Sequence, residues 1–168
     1  MQTWQIDLNG TDLTGRGGQD LLDLPMTAFF ASRQCPGIAI RAAIDWALQQ
    51  ARTKQVVVSG FHSPLEQSVL KVLITANSPV VMVLTRPLDG AKLPPEWTEP
   101  LTQGHLAVVS QVTTANRLTR QLADARNMQV AQLAQKIVVA HASPNGSLTK
   151  LLTQWRLDDR RVHLLSDG

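Results

Sequence analysis

The sequence is poor in cysteine and in aromatic residues, and it has no long hydrophobic run. Its 168 residues include one cysteine, Cys35, which excludes an internal disulfide and favours a reducing compartment, by default the cytoplasm. No stretch approaches the roughly 18 uninterrupted apolar residues of a membrane span, and the amino terminus lacks the basic and apolar segments of a signal peptide. We therefore expect a soluble cytoplasmic protein that has no membrane partner.

Motifs of several common enzyme classes are also missing. The sequence has no G-x-S-x-G elbow, no Walker loop and no G-x-G-x-x-G turn. The main sequence evidence for a serine hydrolase, a P-loop NTPase or an NAD-type dehydrogenase is therefore absent. His62 and His141 both follow predicted strands, but two histidines without a nearby acidic or cysteine ligand make a poor metal site. We predict no metal, no cofactor and no classical catalytic residue.

What the sequence does contain is enough apolar surface for one sizeable core. Hydrophobic residues make up 43% of the chain, and its length is that of one domain. The net charge is +3, and arginine supplies 11 of the 16 basic residues. The planar arginine fork suits phosphate contacts, although base composition of the genome could produce the same preference. The net charge alone therefore does not identify the kind of ligand.

Apolar runs alternate with amphipathic stretches from Met26 onward, and this alternation is typical of βαβ units around a parallel sheet. We predict a three-layer, Rossmann-like α/β fold with helices on both faces of a mainly parallel sheet. The six predicted strands are Met26–Ala31, Gln55–Ser59, Val80–Leu84, His105–Val109, Lys136–Ala140 and Val162–Leu165.

Helical periodicity fills most of the segments between these strands. Ile40, Ile44, Ala47, Leu48 and Ala51 recur at helical spacing, which predicts a crossover helix. Further helices are expected from Pro64, over 114–135 and over 147–156, whereas 86–104 is expected to be a long surface excursion with a short turn near 96–100. We interpret residues 1–24 as an arm or edge hairpin and 25–168 as a single domain.

Small, polar and cationic residues collect in the loops that follow the strands. The carboxyl edge of a parallel sheet is where ligands bind, because each strand there leads into the positive amino end of a helix. In the last such loop, Gly146 lets the backbone approach a ligand closely and its polar neighbours can bind phosphate oxygens; an ordinary helix cap is the alternative. The ligand-binding residues predicted on these grounds are Ser32, Arg33, Gly37, Gly60, Phe61, His62, Arg86, Ser143, Asn145, Gly146 and Ser147.

Several of these residues also have a simpler interpretation. Arg33 could grip a phosphate or form a surface salt bridge. Phe61 could stack on a base or pack in the core. Arg117 and Arg120 are interpreted as solvent-facing charges. Cys35, beside Pro36 at a helix start, has either a lowered thiol pKa or the passive role of a small hydrophobic residue.

Four segments together resemble the Rossmann-like domain of the DNA-processing protein A family, also called Smf. The family carries a G-[ST]-R turn, an S-G-x-A-x-G-I-D loop, an R-x-x-R-N segment and an S-G-S-L loop. From about Met26 to Leu165, the order and spacing of the four segments match those of the family's motifs. The segments are Phe30-Ala31-Ser32-Arg33, Val58-Ser59-Gly60-Phe61, Arg126-Asn127 and Ala142-Ser143-Pro144-Asn145-Gly146-Ser147-Leu148.

The resemblance implies single-stranded DNA binding, loading of a recombinase, homodimerisation and membership of the wider SLOG group of nucleotide-binding folds. It also implies ligand-binding roles for Ser59, Arg126 and Asn127. The chain departs from the family pattern at three places. Ala31 replaces the first glycine, Ala123 replaces the first arginine of R-x-x-R-N, and 63–66 stands where G-I-D is expected, so the second loop cannot bind a ligand in the same way.

Two other functions remain open at this point. The SLOG group includes LOG-type phosphoribohydrolases, which cleave nucleoside monophosphates and carry a P-G-G-x-G-T-x-x-E motif. Lys150 stands near the position of that motif's carboxylate and cannot stabilise an oxocarbenium-like transition state, so only Glu66 could serve as the acid. A nucleotide-sensing regulatory subunit is the third possibility.

Overall fold

The structure is a computed structural model that describes residues 2–114 and 117–165. Its strands are β1 (Thr3–Leu8), β2 (Thr11–Gly17), β3 (Met26–Phe30), β4 (Val56–Ser59), β5 (Val80–Val83), β6 (Leu106–Ser110), β7 (Lys136–Val139) and β8 (Val162–Leu164). Its helices are α1 (Gly37–Thr53), α2 (Pro64–Thr75), α3 (Thr98–Gln103), α4 (Arg120–Leu133) and α5 (Ser147–Leu157).

All the strands belong to one sheet in the order β1-β2-β6-β5-β4-β3-β7-β8. The six strands from β6 to β8 in this order are parallel, whereas β1 pairs antiparallel with β2 and β2 with β6. The predicted α/β fold with a mainly parallel sheet is confirmed, but the predicted number of six strands is too low, because β1 and β2 lengthen the sheet to eight.

The additional pair is a tight hairpin in the segment predicted as an arm or edge hairpin. Its turn is Asn9-Gly10, with φ of 53° and 86°, and two successive positive φ angles are what a two-residue type I′ turn requires. Trp4 lies opposite Gly15 across the hairpin. A Cβ on that glycine would come within 2.2 Å of the indole ring, so the absence of a side chain makes room for Trp4.

The two faces of the sheet bury separate apolar clusters. On one face lie α1 and α2, and on the other lie α4 and α5. Phe29 stacks on Trp46 of α1 with ring centroids 5.0 Å apart, and Phe30 contacts Trp155 of α5 at 4.9 Å. Neighbouring residues of β3 therefore anchor helices on opposite faces, as expected from the two-residue period of a strand.

The buried face of α1 agrees only in part with the apolar set that the sequence predicts: Ala47 and Ala51 are buried, and Ile44 packs against the core. Ile40 and Leu48 are each 44% exposed, whereas Ala39, Ala43 and Ala47 are fully buried. Because alanine is small, this face can pack closely on the sheet, and the larger side chains are left at the rim. The prediction was therefore wrong for Ile40 and Leu48, and it missed Ala39 and Ala43.

Other boundaries also shift. The helix predicted over 114–135 begins at 120, because the Thr119 hydroxyl caps it by accepting the Leu122 N–H at 3.1 Å; part of the predicted range, 115–116, lies outside the described residues. The excursion over 86–104 contains a 3-10 turn, Pro95–Trp97, followed directly by α3. No helix in the described ranges is long and apolar enough to cross a membrane.

The strand order creates a crevice at the carboxyl edge. From β3 the chain proceeds through β4 and β5 to β6 on one side, then returns to place β7 on the other side of β3. The loops after β3 and β7 consequently lead to helices on opposite faces of the sheet. Such a switch point is the usual ligand site of an open parallel sheet.

Candidate functional site

A cavity of about 590 Å³ lies at this switch point, and we call it the crevice. It brings together eight of the predicted ligand-binding residues: Ser32, Arg33, His62, Arg126, Asn127, Ser143, Gly146 and Ser147. These residues come from four separate parts of the chain. The strand topology therefore assembles most of the predicted phosphate-binding set in one place.

Ser32 joins the two loops that form the floor of the crevice. Its hydroxyl oxygen accepts the Ser143 N–H at 2.8 Å, and its own N–H donates to the His141 carbonyl at 3.0 Å. The loops after β3 and β7 are thus held in fixed register. Ser32 therefore lines the crevice and also fixes its shape through these two hydrogen bonds.

The amino end of α5 opens onto the crevice without a side-chain cap. Gly146, at the N-cap position, and Ser147 and Leu148, in the first turn, line the cavity, and no side-chain cap bond is found there. The left-handed residue of the loop is Asn145, with φ of 62°, and the Thr149 hydroxyl donates to the Ser143 carbonyl at 2.6 Å. Gly146 is itself an ordinary N-cap residue, as the alternative interpretation allows, but because no side chain caps this end, the first-turn amides have no side-chain acceptor.

Arg126 is a buried cation on the crevice wall. Its side chain is 7% exposed, and its Nε donates to the Asn127 Oδ1 at 3.3 Å. In the part of the chain that the structure describes, no protein atom accepts a hydrogen bond from its two terminal nitrogens. Burial lowers the pKa of the Arg126 guanidinium and the charge of Glu66 opposes that effect, but arginine still remains protonated at neutral pH.

The path of Arg126 depends on Gly60. A Cβ on Gly60 would lie 2.4 Å from the Arg126 Nε and 2.5 Å from its Cδ. The guanidinium therefore crosses the end of β4 directly over this glycine. Gly60 is needed here for space and not for its backbone conformation, since it does not have a left-handed φ.

Glu66, the only acid that the sequence offered to a hydrolase, is engaged by backbone amides. One carboxylate oxygen accepts the N–H groups of His62 and Ser63 at 2.9 and 3.1 Å, and the other accepts that of Ala31 at 3.0 Å. The Ser63 hydroxyl completes a capping box at the start of α2. Glu66 thus fixes the loops after β3 and β4 to each other, and both its oxygens are already bonded.

A second cavity, of about 670 Å³, adjoins the crevice and is lined by five of the predicted residues, Gly60, Phe61, His62, Arg86 and Arg126. Arg126 and His62 line both cavities. The Phe61 ring is 4% exposed and packs in the core cluster under α2, which leaves little surface for a base. Ser59 is fully buried, and its hydroxyl accepts the Phe61 N–H at 3.0 Å.

Three predicted residues, Gly37, Ser59 and Asn145, line neither cavity. The possible lowered pKa of Cys35 is contradicted, because burial and the nearby charge of Glu66 both raise the pKa of this thiol. Among the residues that the structure describes, no three His, Cys, Asp or Glu side chains gather as a metal site.

The start of α4 contributes crevice residues that the sequence analysis missed: Leu118, Thr119, Arg120, Ala123 and Asp124. Arg120 was interpreted as a solvent-facing charge; it is exposed, but it stands at the mouth of the crevice. Arg120, Ala123, Asp124 and Asn127 are spaced by three and four residues. That spacing, which places them on one helix face, was the available signal.

The fold and the crevice define a Rossmann-like domain with an arginine-lined cavity at its switch point. Residues 5–161 match the model of the DNA recombination-mediator protein A family, and the chain belongs to that family. No protein of curated function matches the chain.

Solved structures with similar folds include two DNA processing proteins A. The Helicobacter pylori protein, whose structure is described for its single-stranded DNA binding mode, has a TM-score of 0.76 at 17% identity over 96% of this chain and 80% of its own. The Streptococcus pneumoniae protein has a TM-score of 0.72 at 20% identity over 90% of this chain. This chain covers 53% of that relative, about half its length.

A more distant similarity connects the chain to the molybdenum cofactor binding protein of Rippkaea orientalis, with a TM-score of 0.56 and 12% identity over 83% of this chain and 75% of the other. At such identities, these likenesses establish the fold alone.

Proposed function

We propose that the chain binds single-stranded DNA in a DNA-processing role, and that the crevice grips the sugar-phosphate backbone. The observation that carries this proposal is Arg126, whose guanidinium is buried on the wall with its terminal nitrogens bonded to no described protein group. Burying a charge is costly, and the nearby charge of Glu66 offsets only part of that cost, because the pKa of Arg126 is lowered on balance. A phosphate in the crevice would offset that cost with short, charge-assisted hydrogen bonds.

The charges around Arg126 support an anionic ligand. Among the described residues, three arginines, Arg33, Arg120 and Arg126, line the crevice against two acids, Asp124 and Glu66. The carboxylate of Glu66 is engaged by three backbone amides. The uncapped amino end of α5 adds its partial positive charge. Family membership and the DNA-binding Helicobacter pylori relative favour a DNA strand as the source of the phosphates.

Arg33→Ala tests this placement. If Arg33 contacts a phosphate, its removal should weaken oligo-dT binding about fivefold or more and reduce the slope of log affinity against log salt by about 0.7, the value for one phosphate contact on a single strand. Fluorescence anisotropy over a salt series measures both quantities. Arg41→Ala is the control, since Arg41 is an exposed arginine of α1 that lines neither cavity. Equal affinities of wild type and Arg33→Ala would contradict the placement.

We further propose homodimerisation, a recombinase partner and a cytoplasmic location. The first two rest on family membership, and the third rests on the single cysteine. Light scattering coupled to size exclusion, with and without oligo-dT, tests the dimer. A monomer under both conditions would count against it.

A further inference from the structure

The second cavity has the composition of a pocket for a planar, partly apolar ligand that carries negative charge. Its volume of about 670 Å³ falls within the range of small-molecule sites. Leu70, Ile74 and Met82 form apolar lining, and Trp97, on the 3-10 turn before α3, supplies an aromatic wall. An apolar and aromatic lining suits the face of a nucleobase.

The charges on this cavity are mostly positive. Lys71 and Arg86 are exposed on its rim, and Arg126 enters from the side of the crevice. Within residues 2–114 and 117–165, Glu96 is the one acid that lines this cavity. A purely apolar ligand would gain nothing from these cations. A base joined to a phosphate would use both the apolar wall and the positive rim.

Arg126 also sets the position of this cavity relative to the crevice. Its guanidinium passes over Gly60 and lines both cavities, as does His62. A phosphate held by Arg126 therefore lies at the border of the second cavity. Trp97 lines the same cavity as Arg126, so a base joined to that phosphate would enter a space that Trp97 borders.

We propose that the second cavity is a base pocket, in which one unstacked nucleobase packs against Trp97 while its phosphate is bound at Arg126. This inference rests on the proposed function for the position of the phosphate. The same chemistry could come from a nucleotide of a DNA strand or from a free nucleotide. The Phe61 ring, which the sequence suggested for stacking, is part of the pocket lining but is buried beneath it.

The test compares a 20-nucleotide oligo-dT with an oligomer of the same length made of abasic units, which keeps the phosphates and lacks the bases. Wild type should bind oligo-dT about fivefold or more tightly than the abasic oligomer, the loss expected for one base–aromatic stack. Trp97→Ala should remove this preference by weakening oligo-dT binding while leaving abasic binding unchanged. A merely structural effect of the substitution would weaken both.

Lys71→Glu, with Lys92→Glu as its control, extends the test by a surface substitution. Lys71 is exposed on the pocket rim, and Lys92 is exposed and lines neither cavity. Lys71→Glu should weaken oligo-dT binding at least about threefold more than Lys92→Glu does. Equal effects of the two variants would contradict the cationic rim.

Calorimetric titration with dTMP separates the two sources of the base. Binding of dTMP that Trp97→Ala weakens, without binding of either oligomer, would support the pocket and overturn the DNA-binding function. Equal wild-type affinity for the two oligomers would overturn the pocket and leave the DNA-binding function standing. No binding of oligo-dT, the abasic oligomer or dTMP would overturn both.

Discussion

Gly60→Ala is expected to lower single-stranded DNA affinity about tenfold or more, although it removes no charge and no hydrogen-bonding group. The new methyl group would lie 2.4 Å from the Arg126 Nε, so the guanidinium must leave its place above β4. A hydrogen bond to a charged group contributes about 1.5–3 kcal/mol, which corresponds to roughly 10- to 150-fold in affinity. Fluorescence anisotropy with oligo-dT measures the loss.

Two further variants isolate the cause of this effect. Arg126→Ala should produce a similar loss, and the double variant should be little worse than either single variant, because both act on the same guanidinium. Gly37→Ala is the matched control, since a Cβ at Gly37 meets nothing within 4 Å and its backbone is not left-handed. Wild-type affinity in Gly60→Ala, with the fold intact by circular dichroism, would show that Arg126 does not hold the strand.

Glu66→Ala is expected to lower the free energy of unfolding by about 3 kcal/mol or more. The carboxylate accepts three backbone N–H groups, from Ala31, His62 and Ser63, and is itself 6% exposed. Each buried donor left without an acceptor costs about 1–3 kcal/mol, and the helix cap is lost as well. Urea denaturation followed by circular dichroism gives the difference in stability.

Glu66→Gln should cost less than Glu66→Ala. Its carbonyl oxygen can still accept the His62 and Ser63 amides, whereas its NH₂ group would face the Ala31 N–H. Glu99→Ala is the surface control, because Glu99 is an exposed residue of α3 whose bond goes to Gln103. If Glu66→Ala were as stable as Glu99→Ala, the carboxylate would not be what holds the loops after β3 and β4 together.

Much of the fold could be predicted because buried parallel strands have a simple signature. Val56–Ser59, Val80–Val83 and Leu106–Ser110 are entirely buried, so they appear in the sequence as short apolar runs separated by helical periodicity. The inward face of α1 was predictable only in part, at Ala47 and Ala51. There, close packing favours Ala39, Ala43 and Ala47 over the larger Ile40 and Leu48, and residue hydrophobicity alone does not encode interhelix or helix–sheet distance.

The sequence indicated which loops form the candidate site, but it did not indicate what each residue does there. The order of the strands determines which loops meet, and Ser32 was placed correctly on the crevice without any signal for its bond to the Ser143 amide. Arg126 belongs to a helix on the opposite face from α2, and only the three-dimensional fold shows that it crosses Gly60. Glu66 has the sequence position of a capping residue, yet its third bond, to Ala31, joins residues 35 positions apart.

The account depends most directly on phosphate binding in the crevice, and a titration of labelled oligo-dT at two salt concentrations with a mononucleotide competitor tests it. We predict binding that weakens steeply as salt rises, because strand binding releases counterions from each neutralised phosphate. We also predict that mononucleotides displace the strand poorly, since a strand places several phosphates along Arg33, Arg120 and Arg126 at once. Affinity that does not change with salt, or no binding of the strand at all, would contradict the account.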